Sequence, residues 1–145
     1  MIRWLLAAFH LLALGIGLGA ILNRAWALRG HLDADGVRRV LNADTAWGVA
    51  ALLWISTGLL RAFAGFEKGS DYYLNNHVFW GKMSFLVVIL ALEILPVITF
   101  IQWRRHTTEI DPHRARTLAR TSFIQAALVV LMVFAATAMA RGIGA

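Results

Sequence analysis

The chain of 145 residues contains no cysteine, which excludes disulfides, thiolate metal sites and cysteine nucleophiles together. Nitrogen and oxygen are left as the donors for any metal. Acidic residues are also few, 8 against 14 basic ones, for a formal net charge of +6. What the chain has in excess is apolar. Hydrophobic residues make up 59% of it and the mean hydropathy is +0.65, values out of place in a soluble domain of this ordinary single-domain length.

Four stretches between clusters of charge have about the length, roughly 20 apolar residues, that crosses a bilayer core. They are residues 4–22, 44–63, 77–101 and 121–140. Their apolar runs are continuous, which rules out the alternating strands of a transmembrane barrel. Lipid offers no partner to an unpaired backbone amide, so the spans are helices. The sequence therefore predicts an all-α integral membrane protein, a four-helix transmembrane bundle forming a single domain over 1–145, with nothing substantial left for a soluble domain. Arg3 before an apolar run, with Gly19 and Ala20 after it, imitates a secretory signal, but the run is long for one and is read as a span. No internal repeat stands out.

In a soluble protein the positive charge would suggest nucleic acid. Here its placement speaks for a membrane and against a nucleic-acid partner. Arg24, Arg29, Arg38 and Arg39 fall between the first two predicted spans, and Arg104, Arg105, Arg114, Arg116 and Arg120 between the last two. The connection from Gly65 to Asn76 carries only Lys68. Basic loops stay in the cytoplasm, which predicts an N-out/C-out, multi-pass protein, with Arg3 and Arg141 opposing this orientation. The loop arginines also suit anionic lipid headgroups. A short amphipathic helix is expected around Val37 to Leu41 in the first loop, and a helix start at Asp111 and Pro112.

Ionisable side chains inside a span are costly and need a partner, a cavity or a function. His10, Lys82 and Glu93 stand out. His10 lies roughly 9 Å below the start of the first span and Lys82 roughly 8 Å below the start of the third, at about 1.5 Å per residue. Both spans run in the same direction, so the two residues share one depth and a single ligand between them could touch both. Glu93, eleven positions after Lys82, lies about 20° from it around the helix and roughly 16 Å further along. Phe79, Leu86 and Ile89 complete that stripe, which is expected to face the bundle interior.

Each residue also has a plainer reading. Glu93 can be satisfied by a hydrogen bond from Gln125 rather than move protons, Lys82 can snorkel to the interface, and His10 can bond a backbone carbonyl in the core. His77 lies about 140° from Lys82 and reads as a cap or interface residue, while His31, His106 and His113 fall in loops. Trp4, Tyr72, Tyr73 and Trp80 at one boundary and Trp26 and Trp103 at the other form aromatic belts. Gly15, Gly17 and Gly19 let the first helix approach a neighbour or make room for a flat macrocycle.

The run Phe66-Glu67-Lys68-Gly69-Ser70-Asp71-Tyr72-Tyr73-Leu74, followed by Phe79-Trp80-Gly81-Lys82-Met83, resembles a family of four-helix bacterial inner-membrane proteins over nearly the whole chain. More distantly, the layout is similar to the superfamily of CopD copper-resistance proteins and the HemJ-type protoporphyrinogen oxidase. In the latter, a first-helix histidine in a Phe-His-Leu-like setting and a third-helix lysine after an aromatic are associated with haem. Phe9-His10-Leu11 and Trp80-Gly81-Lys82 occupy those places, so the resemblance implies a haem-associated role for His10 and Lys82. The elements of residues 66–69 and 71–74 depart from the oxidase pattern, and porphyrinogen oxidation does not carry over with them.

Three functions fit these residues. The first is an oxidoreductase or electron carrier with a haem b or related tetrapyrrole near the outer leaflet, exchanging electrons with quinone or another membrane partner. His10 would be one axial ligand. Lys82 would be the other or a propionate partner, Arg61 on the second span would pair a propionate, and Glu93 would move protons. The second is copper handling in the CopD manner, short of ligands because the methionines are scattered and soft copper(I) prefers sulfur. The third is a noncatalytic subunit or scaffold. A homo-oligomer is compatible with all three.

Overall fold

A computed structural model describes residues 1–64, 70–106 and 109–143. Each of the four apolar stretches lies inside one long helix: α1 (Ile2–Arg29), α2 (Ala34–Phe63), α4 (His77–Arg105) and α5 (Pro112–Ala140), with a short α3 (Ser70–Leu74) between α2 and α4. All four long helices are long and apolar enough to cross a membrane. At about 1.5 Å per residue they exceed the roughly 30 Å that the core requires and project beyond it. Large side chains such as Phe9, Leu12, Ile16, Leu52, Val87, Ile94 and Phe134 stand exposed, as they should where lipid is the solvent.

The helix ends follow from local chemistry. Asp33 begins α2, its carboxylate accepting from the Gly36 amide at 2.8 Å. The residues around Val37 to Leu41 are therefore the first turns of α2 rather than a separate loop helix. Asn76, not His77, caps α4: its Oδ1 accepts from the Val78 and Phe79 amides at 2.9 and 3.3 Å. His77 is exposed in the first turn. At α5, Asp111 caps and Pro112 takes the first helical position, where its missing N–H costs nothing.

The start of α1, the end of α5 and α3 lie at one end of the bundle, called here the terminal end. The end of α1 with the start of α2, and the end of α4 with the start of α5, lie at the other, the loop end. In cross-section the order is α2, α1, α5, α4: α1 packs on both α2 and α5, and α4 packs on α5. The α1–α2 contact is close because Gly17 meets Ala50 and Trp47, where even a Cβ would already stand at 3.4 Å. Gly15 and Gly19 face the other way, with nothing within 4 Å of a Cβ placed there. Lipid tails are as apolar as the helices, so such packing and internal polar contacts hold the bundle together.

Core contacts fall into three layers. Leu28, Val40, Phe100 and Leu118 meet near the loop end. Ile21, Trp47, Trp54, Ile89, Val129 and Met132 form the middle, and Ala62, Tyr73, Phe79 and Met139 the terminal end.

Candidate functional site

Two polar centres lie inside this apolar frame. The first lines a cavity of about 350 Å³ in the terminal half, bounded by all four long helices and by Tyr72 and Tyr73 of α3. Its volume lies within the roughly 300–1,000 Å³ usual for small-molecule sites. His10 from α1, Arg61 from α2 and Lys82 from α4 all line it, and no acidic residue is among the described lining residues. Aromatic and aliphatic groups, including Trp54, Phe63, Phe79 and Leu86, make up most of the wall. Tyr72 ties the α3 cover to α5, its hydroxyl donating to the Met139 carbonyl at 3.2 Å.

His10 is held from α2. Its Nδ1 lies 3.0 Å from the Trp54 carbonyl and 3.0 Å from the Thr57 Oγ1. A carbonyl only accepts, and the Thr57 hydroxyl donates within its own helix, where the Leu53 and Trp54 carbonyls lie at 2.6 and 3.1 Å. The Nδ1 must therefore be the donor to that carbonyl. The expected core bond to a backbone carbonyl is present.

The second centre is built on Arg24. The helix does not end near Leu22, as the charge pattern suggested. It continues to Arg29 and takes Arg24 with it, 0% exposed. The Arg24 Nε donates to Ser122 Oγ at 3.0 Å. One terminal nitrogen donates to Asp44 Oδ1 at 2.9 Å and Glu93 Oε1 at 2.7 Å. The other donates to Glu93 Oε2 at 3.0 Å and Gln125 Oε1 at 2.8 Å. Every guanidinium N–H is used, and all four long helices contribute.

Arg104 completes the centre from the loop end, donating to Asp44 Oδ2 at 3.3 Å. Two arginines thus face two carboxylates, and the formal charges cancel. The Phe100 ring covers the Arg24 guanidinium, 5.6 Å from its centroid. Gln125 also donates to Glu93 Oε2 at 2.6 Å and to the Ile89 carbonyl at 3.1 Å. Glu93 therefore does meet Gln125, but its main partner is an arginine that had been assigned to a loop. Ile89 and Val129 of the middle apolar layer lie between this centre and the cavity, which Met132 of the same layer lines.

The structure brings His10, Lys82 and Arg61 to one cavity and places Glu93 in the other centre. It also gathers what looked scattered: Met83, Met132 and Met139 all line the cavity. His77 does not, and the described residues hold no group of three or more His, Asp or Glu arranged for a metal. Residues Phe66, Glu67, Lys68 and Gly69 of the central signature lie outside the described residues.

Comparison with curated proteins and with solved structures found no match to this chain. The family model described as "Predicted membrane protein (DUF2214)" matches residues 2–144, in accord with four long apolar helices, and the chain belongs to that family.

Proposed function

We propose that the cavity holds a haem b or related tetrapyrrole and that the protein is a membrane redox carrier or oxidoreductase. The observation that carries this reading is the His10 Nδ1 bond to the Trp54 carbonyl, in a largely apolar cavity that Arg61 and Lys82 also line. A tetrapyrrole is flat and apolar, carries anionic propionates and takes an axial nitrogen, and this donor set fits each property. His10 would ligate through Nε2. Arg61 and Lys82 would hold the propionates, with the amine of Lys82 as an alternative ligand to the iron. The aromatic walls and α3 would exclude water. When bound, the group would supply one-electron chemistry, with quinone or another bilayer-dissolved molecule as partner.

The basic loop end belongs in the cytoplasm by the positive-inside rule, so the cavity sits toward the outer leaflet of a bacterial inner membrane. Glu93 is assigned here to the Arg24 centre as a counter-ion, not to proton transfer.

Three methionines beside His10 favour a second reading, copper(I) held by thioether sulfur and imidazole. The lining also brings two basic side chains, Arg61 and Lys82, which suit an anionic group better than a cation.

The test is the absorption spectrum of protein purified in mild detergent from haem-replete cells. A Soret band is the expected result. A colourless preparation that instead takes up stoichiometric copper would contradict the proposal and favour the second reading.

A further inference from the structure

α2 and α4 stand at the two ends of the row α2, α1, α5, α4, and among the described residues they do not pack on one another as neighbours in that row do. Side chains tie them at two levels. Toward the loop end, Arg104 of α4 donates to the Leu41 carbonyl, Asp44 Oδ2 and Thr45 Oγ1 of α2 at 3.1, 3.3 and 3.0 Å. At the terminal end the Phe63 and Phe79 rings meet edge to face, centroids 6.3 Å apart. From Thr45 to Phe63 is roughly 27 Å along α2, at about 1.5 Å per residue. The cavity lies in the terminal part of that interval, lined from Trp54 to Phe63 on α2 and from Phe79 to Leu86 on α4.

Its wall there is also the outer surface of the protein. Leu59 and Phe63 line the cavity and are 46% and 49% exposed, and Lys82, Met83 and Leu86 across from them on α4 are only partly buried. An open side costs little here, because lipid tails are as apolar as the wall. The end toward water is covered by α3. Tyr72 bonds it to α5, and the Trp80 indole of α4 donates to the Leu74 carbonyl at 2.9 Å. Leu11 of α1 also lines the cavity and is exposed, but α1 packs on both of its neighbours.

The cavity is polarised as a leaflet is. Arg61 lies in the last turn of α2 and Lys82 in the second turn of α4, while the lining residues Trp54 and Leu86 lie about 10 and 6 Å deeper at 1.5 Å per residue. An amphiphile in the adjoining leaflet, with its anionic groups outward and its apolar body inward, already has the orientation that the cavity requires.

We infer that the cavity opens sideways to the bilayer between α2 and α4, at Leu59, Met83 and Leu86, and that its ligand is a membrane-dissolved anionic amphiphile that enters from the leaflet through this window. The window follows from the helix arrangement alone. That the amphiphile is a tetrapyrrole rests on the reading proposed above.

Met83→Cys introduces the only thiol of the chain and carries a nitroxide into the window. In nanodiscs with no ligand added, the nitroxide should relax readily with dissolved oxygen and poorly with a water-soluble nickel chelate. Dominant relaxation by the chelate would mean that the cavity opens to water, and relaxation by neither would mean that it is sealed. Either result overturns the inference.

Haem uptake tests the entry route. Leu59 and Leu60 are both 46% exposed, and of the two only Leu59 lines the cavity. Leu59→Trp is expected to slow transfer of ferric haem from donor vesicles about tenfold, at the low end of the range over which association rates vary among variants of one site. Leu60→Trp should leave the rate unchanged. Equal rates in the two variants, or slowing by Leu11→Trp in place of Leu59→Trp, would overturn entry between α2 and α4. An unsubstituted chain that takes up no haem, with lipid-like relaxation at position 83, upholds the window and ends the tetrapyrrole reading.

Discussion

Arg24→Met is expected to cost about 3–5 kcal/mol of stability, the range for breaking a buried ion pair from one side. That is a large part of the roughly 5–15 kcal/mol that holds a typical domain folded. The cost comes from charge more than from hydrogen-bond number, because a polar contact between membrane helices contributes on average only about 0.6 kcal/mol. Arg24 is completely enclosed, and the side chains of Asp44 and Glu93 are each only 17% exposed. After the exchange Asp44 keeps Arg104. Glu93 keeps only the Gln125 amide and becomes a carboxylate in the membrane interior with no counter-ion.

This asymmetry predicts a rescue. Arg24→Met with Glu93→Gln removes one charge of each sign and should recover most of the loss, while Arg24→Met with Asp44→Asn should not. Arg24→Lys should fall between wild type and Arg24→Met, because an ammonium has three donors and no fork to engage both Glu93 oxygens. Unfolding in detergent, followed by loss of helical signal, measures all four variants. Arg24→Met as stable as the unsubstituted chain would show that the centre is not the clamp described here.

The second large effect concerns the two cations of the cavity. Arg61→Gln and Lys82→Gln should each weaken ferric haem binding about tenfold or more, since a hydrogen bond to a charged group contributes about 1.5–3 kcal/mol. Haem dimethyl ester, which lacks the propionate charges, provides the control. The unsubstituted protein should bind the ester poorly, and the two variants should bind it no worse than the unsubstituted protein does. Equal losses for haem and ester would mean that these residues shape the cavity and do not recognise propionates.

Much of this arrangement was legible in the sequence because one-dimensional quantities determine it. Apolar run length marks the four helices, and rise per residue places His10 and Lys82 at one depth, which is why both reach the same cavity. The 3.6-residue period puts Phe79, Ile89 and Glu93 on the inward side of α4, with the first two buried.

Arg24 was not legible by that method, because clusters of charge were used to mark where spans end. A signal was present nonetheless. Arg24 continues the stripe of Ala13, Gly17, Ala20 and Ile21 that α1 buries, Ala25 and Leu28 extend it, and Asp44 and Glu93 are acids within spans that require a cation. The gathering of Met83, Met132 and Met139 was invisible for a different reason. They belong to different helices, and which faces of α4 and α5 meet depends on packing order, which hydropathy does not encode. Gly17 could not be separated from Gly15 and Gly19 until α2 was in place beside it.

Titration of ferric haem into the purified chain and into His10→Ala, followed by absorbance, addresses the functional assignment most directly. The unsubstituted chain should saturate with the spectrum of a nitrogen-ligated haem, and His10→Ala should lose that spectrum while keeping its helical content. The same spectrum at the same affinity in both proteins would mean that His10 does not hold the haem and that the assignment is wrong.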